Sequence, residues 1–185
     1  MANRKLVIAA ALLAAGAAPA GASIMVIGNS DARLCFEAAD SPLYPHSRDV
    51  RRCDEALAHD ALSSYEIVAT HINRGILRLR RGLVETAIAD FDTAMAIDPN
   101  QPEAYLNKGA ALIQRANPTE AAQLFTVALE HNTSRPAVAH YGRAVANEQL
   151  GNVRAAYQDY RRASELDPHW SAPRADLLRF RVVER

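Results

Sequence analysis

Three runs of the form Ala-x-x-x-aromatic-x-x-Ala recur in this chain: Ala87–Phe91–Ala94, Ala121–Phe125–Ala128 and Ala156–Tyr160–Ala163. Residues three and four apart share one face of a helix, so each run sets two small side chains around one large one on a single stripe. A turn signal precedes each run (Gly82, Asn117-Pro118, Gly151), and before it lies another helical stretch with its own small residue, Gly75, Gly109 or Ala144. Pro99 and Pro168 close the first and third copies. The spacing of about 34 residues is the period of a helix–turn–helix repeat. One helix pair cannot bury its apolar stripe alone, so such units must stack in series. Glycine and alanine let the paired backbones approach, and the aromatic ring fills the space beside the next helix. Aromatic residues are only 6% of the chain, so close helix approach has to supply most of the packing.

These positions resemble the tetratricopeptide repeat family, which asks for a small residue on the first helix, Ala-x-x-x-Phe-x-x-Ala on the second, and a closing proline. The first repeat spans about 68–101 and departs from the family in having His71, Arg74 and Arg78 where Trp, Leu and Tyr are usual. The second, about 102–135, has Tyr105 and Gly109 in place but Thr133 instead of the closing proline. The third spans about 137–170, and one extra residue near Pro136 predicts an altered link before it. The resemblance implies an all-α fold: an α-solenoid of about three helix–turn–helix repeats within 64–185, with an N-terminal helical hairpin over 31–60 and a C-terminal capping helix.

In this family the first helix of each repeat lines a concave groove that holds peptides. The resemblance places Ile72, Asn73, Ile76, Leu79 and Arg80 on that surface, followed by Leu106, Asn107, Ala110, Ile113 and Gln114. The third repeat adds Tyr141, Val145, Glu148 and Gln149. Asn73 and Asn107 lie one repeat apart, so they should stack as a ladder. A side-chain amide both donates and accepts, which suits the backbone of a bound peptide whatever its sequence. The competing reading is that each asparagine braces its own repeat. Val138 and Gly142 stand where a carboxylate clamp would need basic residues, which points to an amphipathic or extended ligand instead.

Residues 1–22 have the layout of a secretory leader: Arg4 and Lys5, an apolar run from Leu6 to Ala18, and small residues at Ala18-Pro19-Ala20 and Ala20-Gly21-Ala22. The run is shorter than the roughly 20 residues that cross a bilayer, so cleavage after Ala20 or Ala22 is expected rather than stable membrane insertion. The expected compartment is the periplasm or the exterior. Residues 23–30 follow as a short apolar arm, either packed on the first helices or frayed. Residues 31–39 and 48–59 read as two helices around the loop at 41–47, a worn repeat capping the stack. Cys35 and Cys53 are the only cysteines, one on each helix. Behind a leader an even count reads as a disulfide. Closing a loop of about 18 residues is worth about 3 kcal/mol in the chain-entropy account. A redox dithiol usually spaces its cysteines two residues apart, so a structural staple is the expectation. Residues 171–185 read as a solvating terminal helix, with Leu177, Leu178 and Phe180 inward and Arg174, Arg179 and Arg181 outward.

Catalytic and cofactor signatures are missing from the sequence. The six histidines are scattered, with no His-Glu-x-x-His, no haem-attachment motif and no phosphate loop. No metal or cofactor is expected. Lys and Arg total 21 against 21 Asp and Glu, and loss of Arg4 and Lys5 with a leader leaves a slightly acidic protein. That excludes a backbone-neutralising nucleic-acid binder. Asp90 and Asp92 sit two apart on a helix and are expected on a solvated face. Arg74 and Arg78 are expected to pack their stems on the hairpin and reach Asp54 or Glu55. The sequence thus points to a non-catalytic scaffold holding a peptide or protein segment in the cell envelope. The alternatives are a redox-responsive adaptor using Cys35 and Cys53, or the accessory subunit of an envelope enzyme.

Overall fold

A computed structural model describes residues 5–8, 21–26, 30–59 and 61–183, excepting the side chains of 5–8 and 181–183. The described residues form nine helices and one two-stranded ribbon. Helices α1 (Asp31–Asp40) and α2 (Ser47–His59) make the N-terminal hairpin. Then come three antiparallel pairs: α3 (Ser64–Arg80) with α4 (Val84–Ile97), α5 (Pro102–Gln114) with α6 (Pro118–Glu130), and α7 (Pro136–Gln149) with α8 (Val153–Leu166). A short α9 (Ser171–Leu177) covers the last pair.

Local chemistry sets the boundaries. Ser63 and Glu66 form a reciprocal capping box at the start of α3. Proline opens α5, α6 and α7, where a missing N–H costs nothing. The turns within the repeats require a left-handed residue: Gly82 (φ 76°), Ala116 (φ 57°) and Gly151 (φ 75°). Only the middle repeat has a side chain there.

The small-to-large packing works as the repeat pattern implies. A Cβ placed on Gly75 would lie 2.4 Å from the Phe91 ring, leaving no room for any larger residue. Phe125 is wedged between two glycines, since a Cβ would lie 3.0 Å from its ring at Gly109 and 2.3 Å at Gly142. Phe125 therefore couples the second repeat to the third. The altered link before α7 has a compensating contact. Glu103, nearly buried, accepts hydrogen bonds from Ser134 N (2.9 Å) and Thr133 Oγ1 (3.3 Å), holding the loop where a closing proline is absent.

Cys35 and Cys53 are fully buried at bonding distance, with S–S 2.12 Å and Cα–Cα 5.0 Å. The buried residues fall into two cores. The larger runs from the arm 21–26 and the hairpin through α7. The smaller centres on Ala144, Ala156, Tyr160 and Phe180.

The two ends of the chain differ from expectation. The helix expected over 171–185 stops at Leu177, and strand β2 (Phe180–Val183) pairs antiparallel with β1 (Lys5–Ile8). β-Branched Val182 and Val183 suit the extended backbone. Most of the expected leader lies outside the described residues, apart from β1 and residues 21 and 22. Among the described residues no helix is long and apolar enough to cross a membrane.

Candidate functional site

The arm 21–26 crosses the first two repeats after a tight turn at its start (Ser23 N–H to the Gly21 carbonyl, 3.0 Å), and Asn73 and Asn107 hold it by its backbone. The Ile24 N–H donates to Asn73 Oδ1 (2.9 Å), and Asn73 Nδ2 donates to the Ile24 carbonyl (2.8 Å). One amide thus satisfies both polar groups of one residue, as a neighbouring β-strand would. One repeat on, Asn107 Nδ2 donates to the Ala22 carbonyl (3.2 Å) and to Glu103 O within its own helix (2.8 Å). Asn107 therefore serves both as ladder rung and as local brace. Arg135 Nη1 reaches the Gly21 carbonyl at 3.2 Å, so the arm starts beside α7 and proceeds toward α3. Both asparagines are buried, which makes a satisfied amide obligatory.

Side chains along the arm alternate. Ala22, Ile24 and Val26 are buried in the main core, whereas Met25 is 61% exposed. Ser23 donates to Asp40 of the hairpin at 2.8 Å. Gly21 makes a close backbone approach: a Cβ there would stand 2.8 Å from Asn107 Oδ1 and 2.9 Å from Ile76. Fixing the backbone of these residues costs roughly 6–12 kcal/mol. Burying Ile24 and Val26 returns about 3–6 kcal/mol, and the four backbone hydrogen bonds about 2–6 kcal/mol. The arm is held by a near balance.

The other expected groove residues divide. Ile76 meets the arm, while Ile72, Leu79 and Leu106 are buried in the core. Ala110 and Ile113 pack half-buried against it, and Gln114 and Gln149 are exposed at the ends of α5 and α7. Arg80 is not a groove residue. Its guanidinium turns to the hairpin loop and donates to the carbonyls of Ala39 (3.3 Å), Ser41 (2.8 Å) and Leu43. A long side chain at the end of α3 reaches those open carbonyls, which need a donor.

Tyr141, Val145 and Glu148 are not open to a visitor either, because the C-terminal segment is attached to them. Tyr141 OH donates to Asp176 (2.8 Å), and its ring lies 4.7 Å from that of Trp170. Glu148 accepts from Tyr160 OH (2.7 Å) and from both terminal nitrogens of Arg179. Val145 packs into the small core. Burial, reinforced by the Asp176 and Glu148 carboxylates, pushes both phenols far above their ordinary range. The Glu148 hydrogen bond likewise raises Arg179.

Asp90 overturns the expectation of a solvated face. Its carboxylate is buried and takes Arg74 Nη2 at 2.6 Å and Arg78 Nη1 at 2.7 Å, with His71 Nδ1 at 3.3 Å. Burial alone would raise its pKa. The hydrogen bonds from His71 and Arg74 and the charges of Arg74 and Arg78 outweigh that and hold it below the usual value. Both arginines also reach Asp54, as the sequence suggests. The third repeat repeats the device: Asp159 meets His140 Nδ1 at 2.9 Å and Arg143 Nη2 at 2.8 Å, and its pKa is lowered by the same balance. Asp92 pairs with Lys108 at 2.8 Å. The Asp90 and Asp159 networks tie the two helices of a repeat together, and the Asp92–Lys108 pair ties the first repeat to the second. No group of metal-ligating side chains assembles among the described residues.

Residues 78–145 and 137–169 match family profiles described as tetratricopeptide repeat. The chain is a tetratricopeptide repeat protein. Among curated proteins it is similar to the Protein CTR9 homolog of Arabidopsis thaliana, 27% identical over 100 residues. The match takes in 54% of this chain but only 9% of that much longer protein. Among solved structures it is similar to the first tetratricopeptide domain of Spaghetti (RPAP3) bound to the HSP90 peptide SRMEEVD. There the TM-score is 0.59 and the identity 23%, over 63% of this chain and 91% of that one. The crystal structure of MamA matches with TM-score 0.60 and 21% identity, over 70% of this chain and 72% of that one. These structural likenesses share the helical repeat architecture.

Proposed function

We propose that this protein is a non-catalytic interaction module of the cell envelope that holds an extended segment of a protein partner by its backbone. The observation that carries the reading is the pair of hydrogen bonds between the Asn73 amide and the backbone of Ile24. A buried amide that reads N–H and C=O together selects an extended chain and is indifferent to that residue's side chain. The Spaghetti domain, of the same repeat type, is bound to a peptide, which supports the same use of the architecture here. The charged start, apolar run and small residues at 1–22 support export. Cleavage after Ala20 would keep Gly21 and Ala22 for Arg135 and Asn107, whereas cleavage after Ala22 would remove both contacts. Sequencing the mature N-terminus separates the two.

Cys35 and Cys53 act in this reading as a staple, since both sulfurs are buried. Alkylation and mass measurement after glutathione-level reduction tests it: a readily opened bridge would favour the redox-responsive adaptor instead. The functional test is cross-linking capture from the native envelope with the parent and an Asn73→Ala, Asn107→Ala double variant. The reading expects partners captured by the parent to be lost with the variant. Identical capture by both would remove the groove from the account.

A further inference from the structure

The arm that fills the groove carries the chemistry of what the groove accepts. Its buried residues, Ala22, Ile24 and Val26, alternate with outward-facing Ser23 and Met25. Gly21 sits where a Cβ would collide with Asn107 and Ile76. The polarity of the segment is fixed, because Arg135 takes the Gly21 carbonyl and Asn73 takes Ile24 three residues later. From the groove's side the requirement is therefore an extended segment with glycine first, then a small, a β-branched and a second β-branched residue at alternate positions. Lysine, aspartate or an aromatic ring at those inward positions would meet core rather than water.

We infer that residues 21–26 are a displaceable internal ligand, and that the partner is a protein segment of the same Gly-small-x-β-branched-x-β-branched pattern that must evict the arm to bind. This inference rests on the reading of the groove as a peptide site. Two observations say the occupant is replaceable. The arm's bonds to α3 and α5 are made through its backbone, so another chain reproduces them without any matching side-chain polar group. The arm's hold on the groove is also a near balance of ordering cost against burial and hydrogen bonding, so a modest competing free energy displaces it. Being tethered, it competes at a high effective concentration, and a partner in trans sees weakened apparent affinity until the arm is disabled.

The test uses the full chain and a synthetic peptide of residues 21–26 with a C-terminal fluorophore, read by anisotropy. Ile24→Asp places a charge where the groove is apolar and should release the arm. The expected result is weak binding by the parent and at least tenfold tighter binding by Ile24→Asp, lost again when Asn73→Ala is added. Gly21→Val, which drives the arm out by collision with Asn107 and Ile76, should act in the same direction and covers the case in which Ile24→Asp fails to fold. Equal binding by parent and released variants would overturn gating by the arm while leaving the groove as a peptide site. No binding by either variant, with amide exchange showing the arm released, would overturn this inference and the peptide-site reading together.

Discussion

The concave side of the first two repeats and that of the third are built from equivalent helices and covered in different ways. Over α3 and α5 the cover is a strand-like arm held through its main chain by two asparagines. Over α7 the cover is the C-terminal segment, held by side chains: Tyr141 to Asp176, and Glu148 to Arg179. The first arrangement recognises a backbone and tolerates exchange of one chain for another. The second sets Asp176 and Arg179 in register with Tyr141 and Glu148 of α7, a carboxylate and an arginine that a foreign segment would have to copy. The same scaffold thus offers a replaceable cover at one end and a dedicated cover at the other.

Phe125 joins the two halves, so its removal should break the comparison most severely. Phe125→Ala empties the space between Gly109 and Gly142 and is expected to cost about 3–5 kcal/mol. Denaturant unfolding should show the loss, with the third repeat melting apart from the first two. Asp90→Ala strands Arg74 and Arg78 and should cost roughly 3 kcal/mol, the lower end for breaking a buried pair, since Asp54 still faces both arginines.

The same network predicts an acid dependence. Asp90 and Asp159 have folded pKa values below the ordinary 3.8, so their contribution is complete above that value. It should fade as pH falls through the lowered values, and thermal unfolding between pH 5 and 2 should show stability falling with acid. In Asp90→Asn the fall should be shallower.

Asn73→Ala leaves the Ile24 N–H and C=O without partners and should cost about 1–3 kcal/mol of arm attachment, with the helices intact. Tyr160→Phe is its counterpart in the third repeat. It removes one bond to Glu148 while Arg179 remains, so about 1 kcal/mol is expected and the C-terminal cover should stay in place. Comparable release of both covers would erase the distinction between them. Smallest of all, Ala116→Gly relieves a left-handed alanine at the middle turn and should gain about 0.5–1 kcal/mol in thermal unfolding.

The stacked helix pairs were legible because their signal is periodic. Gly75 with Phe91 and Gly109 with Phe125 announce a close crossing through residue size alone. The asparagine pair was legible for the same reason, one repeat apart on the same helix face. Asp90 was not, since its partners lie 12, 16 and 19 residues away and only packing brings them together. A trace of it was present: His71, Arg74 and Asp90 have the spacings of His140, Arg143 and Asp159, and that recurrence marks a shared contact. The arm's place was invisible because a short apolar run carries no register of its own, and Gly21 and Ala22 read as the end of a leader. Arg80 was misplaced because helix position fixes the direction of a long side chain's stem and leaves its tip free to reach the hairpin loop.

Amide hydrogen exchange at Ile24 tests most directly whether the groove holds an extended chain by its backbone. In the parent this N–H should be strongly protected, and in Asn73→Ala its protection should collapse while the amides of α3 and α5 keep theirs. Exchange at Ile24 as fast in the parent as at an exposed chain end, unchanged by the substitution, would contradict the account.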